Sequence, residues 1–214
     1  MKTYPSIPKP STEQVSILDK QASNNYVFYK LDGSNLLFKL DSKARIIDFR
    51  SRTRSLPIDH PVWGEAYNYF VDNQLDLFKE LIKSNGYKNL DVFVEFYGYN
   101  SFAGRHQEEP KKCSVIDLCI NNRSSLVDIP TFINLLEDKK DKTGHLIMAP
   151  LVELKEFWYG YDEELIKLDI QAIPEGVIVK DKTNTTRYKV KTHCWKKKVK
   201  SSFSTQEAEE LLNS

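Results

Sequence analysis

Short continuous apolar runs mark residues 26–41, and a long run of apolar residues at helical spacing appears only afterwards. Tyr26-Val27-Phe28-Tyr29 and Leu36-Leu37-Phe38 flank Asp32-Gly33, which predicts strands over 26–31 and 34–41 joined by a tight turn. A third strand is predicted over 43–51. Before them, Pro5, Pro8 and Pro10 predict an extended arm over 1–12, and Ser11 or Thr12 can cap a short helix reaching about Gln21. After a loop marked by Pro57 and Pro61, apolar residues recur at Val62, Ala66, Tyr69, Phe70, Leu77 and Leu81. That spacing predicts one amphipathic helix from 62 to 84, closed by Asn85-Gly86.

Leu90 to Tyr97 is a dense β run, followed by a polar loop over 99–112 and a strand over 114–120. Pro130 opens a predicted helix to about Lys140. The pattern then predicts a strand over 146–154, interrupted at Pro150, and a short helix over 162–170. A hairpin of 175–180 with 187–191 follows, turning across 181–186. Ser204 with Glu207 forms a capping box for a last helix over 205–213. Strands dominate and helices are inserted between them, so the fold class is α+β rather than alternating βαβ. No linker interrupts the composition, and one domain over 1–214 is expected.

Charge sharpens this picture locally rather than globally. The chain has 214 residues, 29% of them charged, and a formal net charge of +1, so no overall basic field points to nucleic acid. From Lys180 to Lys200, however, nearly every charged residue is basic, while Glu207, Glu209 and Glu210 follow. The Lys196–Lys200 stretch reads either as a contact to a phosphate backbone or as a solvated charged strand end. Cys113, Cys119 and Cys194 form neither a disulfide framework nor a zinc spacing, which suggests a reducing compartment. With no membrane-length apolar run and no signal-peptide pattern, a cytoplasmic location and no membrane partner are expected.

Several charged residues sit inside β runs. Lys30 ends the first strand beside the Asp32-Gly33 turn; Glu95, Asp117 and Glu175 lie in apolar strands; Lys189 and Lys191 share one face of theirs by period two. A half-buried lysine is costly without partners, and enzymes use such an amine as a nucleophile. Cations for phosphates, a carboxylate for a divalent metal and a nucleophile are together what phosphate chemistry requires.

The ordered set Lys30-x-Asp32-Gly33, Glu95-x-x-Gly98, Glu175-Gly176 and Lys189-x-Lys191 resembles the motifs of the covalent nucleotidyltransferase superfamily of ligases and capping enzymes. Within it, Ser34-Asn35 after the first motif, the Phe-Tyr-Gly after Glu95 and the lysine-rich segment after Lys191 are most similar to the phage-type nick-sealing RNA ligases. The resemblance spans about residues 25–200. It implies the adenylation-domain fold of DNA and RNA ligases: twisted antiparallel sheets with flanking helices around a nucleotide cleft. It also implies an ATP-dependent RNA ligase, an enzyme forming phosphoric ester bonds, that needs magnesium or manganese.

By the same resemblance Lys30 is the catalytic nucleophile that carries AMP, passes it to a 5′-phosphate end and leaves a 3′-hydroxyl to close the strand. Glu95 contacts the ribose, Asp117 sits in the motif that follows it, and Arg52 (or else Arg54) contacts the nucleotide sugar. Glu175 helps bind the metal, Lys189 and Lys191 hold the AMP phosphate, and Asn35 matters when the ends are joined.

Two positions depart from the pattern. Ile116 stands where relatives carry an aromatic against adenine, so apolar packing from Ile116 and Val177 replaces stacking. Tyr29 stands where relatives often carry a base-reading carboxylate, and ATP rather than GTP is expected on family grounds alone. His106 and His193 lie near motifs and read as surface histidines. Only 23 residues follow Lys191, which leaves no room for an OB-fold or a helical C-terminal domain. The implied partners are RNA ends, foremost a nicked duplex, and a protein supplying the missing domain; the chain itself is expected to be a monomer. A minimal DNA ligase, a capping guanylyltransferase and a non-catalytic nucleic-acid-binding protein are the alternatives.

Overall fold

A computed structural model describes residues 3–9, 25–100, 109–152 and 175–213. The helices expected near 11–21 and 162–170, together with His106, lie outside the described residues. The chain divides into two compact units. The first comprises Met1–Pro5, Ser34–Tyr97 and Pro110–Ala149, and the second Ser6–Gly33, Gly98–Glu109 and Pro150–Ser214.

The first unit is built on a four-stranded sheet in the order β3–β2–β4–β5. Its strands are β2 (Gly33–Asp41), β3 (Ile46–Ser51), β4 (Asn89–Tyr97) and β5 (Lys112–Ile120). The pairs β2/β3 and β4/β5 are antiparallel. Helices α1 (Gly64–Asn73) and α2 (Leu75–Asn85) bury Ala66, Phe70, Phe78 and Ile82. Phe38 of β2 stacks on Phe49 and on Phe70, with ring centroids 4.9 and 4.0 Å apart, which fixes the helices on the sheet.

The single helix expected over 62–84 is therefore two. Gln74 breaks it with φ −121°, and its buried amide leaves the helix to donate to the Cys113 carbonyl of β5 at 2.7 Å. The apolar spacing continues through the break, so the pattern carries no sign of it. Gly86 closes α2 at φ +63°, as the Asn85-Gly86 pair predicts. Helix α3 (Ile129–Leu136) starts at the Asp128 cap, which accepts from the Thr131 N–H at 3.0 Å. It stops four residues before Lys140, because Glu137 is extended and Asp138 adopts φ +60°. The strand expected from 146 is instead a set of isolated bridges, Lys140 with Leu146, Val115 with Met148 and Phe28 with Leu151. Tyr4 of the arm is buried in this unit, its ring 5.3 Å from Phe93.

The second unit carries a three-stranded antiparallel sheet in the order β1–β6–β7: β1 (Asn25–Lys30), β6 (Gly176–Asp181) and β7 (Arg187–Lys191). Two helices follow, α4 (His193–Ser202) and α5 (Thr205–Asn213). The lysine stretch 196–200 thus lies on a helix, not at a strand end. Thr192 caps α4 by accepting from the Trp195 N–H at 3.2 Å, which starts a helix directly after β7. Ser204 and Glu207 form the expected capping box on α5: the Ser204 N–H donates to Glu207 at 3.1 Å, and the Glu207 N–H reaches Ser204 Oγ at 3.5 Å.

One turn design recurs in both units. Asp41, Asp141 and Asp181 each fold the following residues back over their own carboxylate. Asp41 accepts from the N–H groups of Lys43 and Arg45, Asp141 from those of Thr143 and His145, and Asp181 from those of Thr185 and Thr186. The residue three positions on is left-handed each time: Ala44 at φ +56°, Gly144 at +82° and Asn184 at +59°.

Candidate active site

Alternation along the β1–β6–β7 sheet separates two chemistries. On one face Val27, Val177, Val179, Tyr188 and Val190 form an apolar cluster with Val152, and Tyr29 packs against it. Residues of the other parity fall on the opposite face: Lys30, Gly176 and Lys191 lie in one cross-strand row, and Phe28, Ile178 and Lys189 in the next. The expected sharing of a face by Lys189 and Lys191 is what the register shows.

Gly176 makes the first row possible. A Cβ there would sit 2.0 Å from the Val190 carbonyl oxygen, so only glycine fits between the two lysine-bearing strands. Glu175, just before it, is fixed by its backbone: its N–H donates to the Lys30 carbonyl at 3.2 Å, and its carbonyl accepts from the Thr192 N–H at 3.0 Å. The Glu175 side chain is buried and ion-paired twice, Oε2 to Lys30 Nζ and Oε1 to Lys191 Nζ at 3.2 Å.

Lys191 is 4% exposed, and its ammonium also donates to the Leu211 carbonyl at 2.8 Å and sits 4.6 Å from the Trp195 ring centroid. Burial pushes its pKa down, Glu175 opposes that shift, and Lys30 and Lys9 add to it. Lys189 is also buried, its N–H donating to the Pro8 carbonyl at 3.0 Å. Lys180, on the same face, is buried with its ammonium 4.9 Å from the Phe28 ring centroid. Asp32 is buried in the turn after Lys30.

The remaining candidate residues belong to the first unit. Asn35 is half-buried near the start of β2, and Arg52 and Arg54 are exposed in the turn after β3. Glu95 is half-buried in β4, directly opposite Ser114 of β5. Asp117 is fully buried and accepts from the Tyr4 hydroxyl at 2.5 Å. Ile116 is the extra residue of a β-bulge, since Phe93 pairs with Asp117 and Val94 with Val115. A bulge re-aims a side chain, and Ile116 is half-buried where its neighbours are not.

Sequence reasoning missed Trp195 and the Leu211 carbonyl as neighbours of the lysine cluster. An aromatic four residues after Lys191 was the available sign for the first; a backbone carbonyl leaves none. Among the described residues, no three His, Cys, Asp or Glu side chains gather as a metal-binding set. Glu175 supplies one carboxylate, which fits a divalent ion arriving with substrate phosphates and water better than a resident ion.

No protein-family model matches the sequence, and no curated protein is significantly similar to it. Solved structures are. A variant of the Naegleria gruberi RNA ligase with ATP and Mn aligns over 92% of this chain and 58% of its own, with a TM-score of 0.66 at 13% identity. The fold is that of the ATP-dependent RNA ligases. An archaeal ATP-dependent RNA ligase aligns over 90% of this chain and 48% of its own, with a TM-score of 0.61 at 18% identity. The Naegleria gruberi enzyme with PPi aligns over 94% and 60%, with a TM-score of 0.59 at 17% identity. The chain therefore spans between about half and three-fifths of the length of these ligases. The expected mixed fold with antiparallel sheets is what the chain adopts.

Proposed function

We propose that this chain is the nucleotidyltransferase portion of an ATP-dependent RNA ligase and that Lys30 is its nucleophile. The observation that carries the reading is the lysine-rich face of the β1–β6–β7 sheet, where Lys30 and Lys191 lie in one cross-strand row and Glu175 pairs with both. The motif order and the fold shared with RNA ligases support it.

In the first step the Lys30 amine, having given up a proton, attacks the α-phosphorus of ATP. A P–N bond forms, the bond to the bridging oxygen breaks, and pyrophosphate leaves with the electron pair. Next an oxygen of a 5′-phosphate RNA end attacks the same phosphorus, the P–N bond breaks and Lys30 recovers a proton. Finally a 3′-hydroxyl attacks the activated 5′-phosphate, its proton is lost, and AMP leaves.

Lys189 and Lys191 balance the charge on the transferring phosphate. Glu175 holds the Lys30 ammonium, and its carboxylate would help hold a magnesium or manganese ion, which would offset the triphosphate charge during attack. Glu95 contacts the ribose and Arg52, or Arg54, the nucleotide sugar. Ile116 gives the base an apolar contact, and Asp32, Gly33 and Asp117 complete the motifs. Val177 and Tyr29, expected near the base from the resemblance, belong instead to the apolar face of the sheet turned away from Lys30 and are not base contacts. Asn35 acts when the ends are joined. The polynucleotide is an RNA end, foremost at a nick in a duplex. The enzyme is a cytoplasmic monomer, and a partner protein can supply further nucleic-acid contacts.

Incubation with magnesium and ATP labelled on the α-phosphate, beside Lys30→Ala, tests this on a denaturing gel and by intact mass. Label on the parent protein and none on the variant is expected. A folded parent protein that takes label from neither ATP nor GTP, with either metal, would sink the reading and favour a binding protein that keeps the fold.

A further inference from the structure

We infer that the C-terminal helical hairpin is a working part of the lysine cluster: the Trp195 ring and the Leu211 carbonyl are positioning groups that hold Lys191, and through it Glu175, against Lys30. The inference rests on the reading of Lys30 as nucleophile.

A buried ammonium must fill its donors or be strongly destabilised. Lys191 fills them from three elements. Glu175 at the head of β6 takes one at 3.2 Å, the Leu211 carbonyl near the end of α5 takes another at 2.8 Å, and the Trp195 ring of α4 covers the ammonium at 4.6 Å. Both helical partners suit a cation. The last turn of a helix presents carbonyls without intrahelical partners and the negative end of the helix dipole. An indole face is the strongest aromatic partner for an ammonium.

The hairpin carries its own small core, which keeps those partners in place. Trp195, Val199 and Ala208 are buried together, with Phe203, Leu211 and Leu212 packed against them. Thr192 ties this core back to the strands: its backbone N–H holds the Glu175 carbonyl, and its hydroxyl caps α4. An unbroken series of polar contacts thus runs from Leu211 through Lys191 and Glu175 to Lys30. Removing the helical partners would take away the two contacts that hold Lys191 from the hairpin side and let Glu175 follow it away from Lys30.

Trp195→Leu, Trp195→Phe and Lys191→Met test this, each first checked for a cooperative thermal melt. Trp195→Leu keeps an apolar side chain and removes the ring face. Its self-adenylylation rate at saturating ATP should fall about tenfold, with half-saturating ATP moved less than about threefold. Trp195→Phe should recover to within about threefold of the parent.

The readout independent of nucleotide is hydrogen exchange. Lys191→Met should speed exchange at the α5 amides about tenfold, while β6 and β7 amides stay as protected as before. A folded Trp195→Leu that adenylylates like the parent, or unchanged α5 exchange in Lys191→Met, overturns the inference. Should the parent take no AMP at all, the Lys30 reading falls, and the exchange measurement still decides whether the hairpin is tied to Lys191.

Discussion

Glu175 stands between two ammoniums, and that makes it the residue whose neutralisation has the clearest sign. Glu175→Gln keeps the shape but removes the carboxylate that pairs with both Lys30 and Lys191, in a place where Lys191 is almost fully buried. Removing one partner of a buried ion pair costs about 3–5 kcal/mol; Lys30 is partly exposed, so a loss of about 2–4 kcal/mol is expected by urea unfolding. Lys30→Met in the same assay should cost less, because Glu175 keeps Lys191. Equal losses would mean that the pairs contribute separately. Gly176 is the second sensitive residue. A Cβ there would have to displace the Val190 backbone, so Gly176→Ala is expected to lower stability by about 1–3 kcal/mol and to abolish AMP labelling of Lys30. A variant that melts and labels like the parent would show that the β6–β7 spacing is looser than this.

At the level of elements, the three aspartate turns make an acid-stability prediction. Burial raises the pKa of Asp181, but the N–H groups of Thr186 and Thr185 and the hydroxyls of Thr183 and Thr185 outweigh it, and the net shift is downward. Asp141 behaves alike: burial opposes the hydrogen bonds from Thr143, Tyr69 and His145, which prevail. A carboxylate with a folded pKa below its unfolded value of about 3.9 contributes stability that is complete above that value. The contribution disappears as pH falls through the folded value. Asp181→Asn should therefore be less stable than the parent at pH 7 and lose less on going from pH 5 to pH 3, followed by thermal melts. Parallel curves would remove Asp181 as a source of the acid sensitivity. Gly144→Ala places a methyl in open space but at φ +82°, so a loss of about 1 kcal/mol from backbone strain alone is expected.

The same elements show what a sequence makes legible. The 181–186 hairpin turn, the Gly86 stop and the Ser204–Glu207 box depend on residues close in sequence, and all three were readable. The break at Gln74 depends on a carbonyl in β5, and the bridges after Leu146 depend on strands elsewhere in the chain, so neither was.

At the scale of the whole molecule, the shared face of Lys189 and Lys191 was readable, because strand parity is a local property. The hairpin's part was not readable, since Lys191 meets Leu211 only after two helices have folded back. One prediction concerns the polynucleotide. With a net charge of +1, the RNA binding that the proposed function requires would rest on local patches rather than on an overall field. Helix α4 offers one: Trp195 and Val199 are buried, and Lys197, Lys198 and Lys200 are exposed along it. None of these three touches the Lys30–Glu175–Lys191 series. Replacing all three by glutamine should leave transfer of AMP to Lys30 unchanged and weaken the later steps at a nicked RNA duplex. If each lysine neutralises one phosphate, log–log salt dependence of duplex binding should flatten by roughly 0.9 per lost contact, or about 2–3 in all. Comparing nicks with RNA and all-DNA strands in the same series separates an RNA ligase from a DNA ligase. An unchanged salt slope with intact sealing would leave α4 a solvated face and move the backbone contact to another surface.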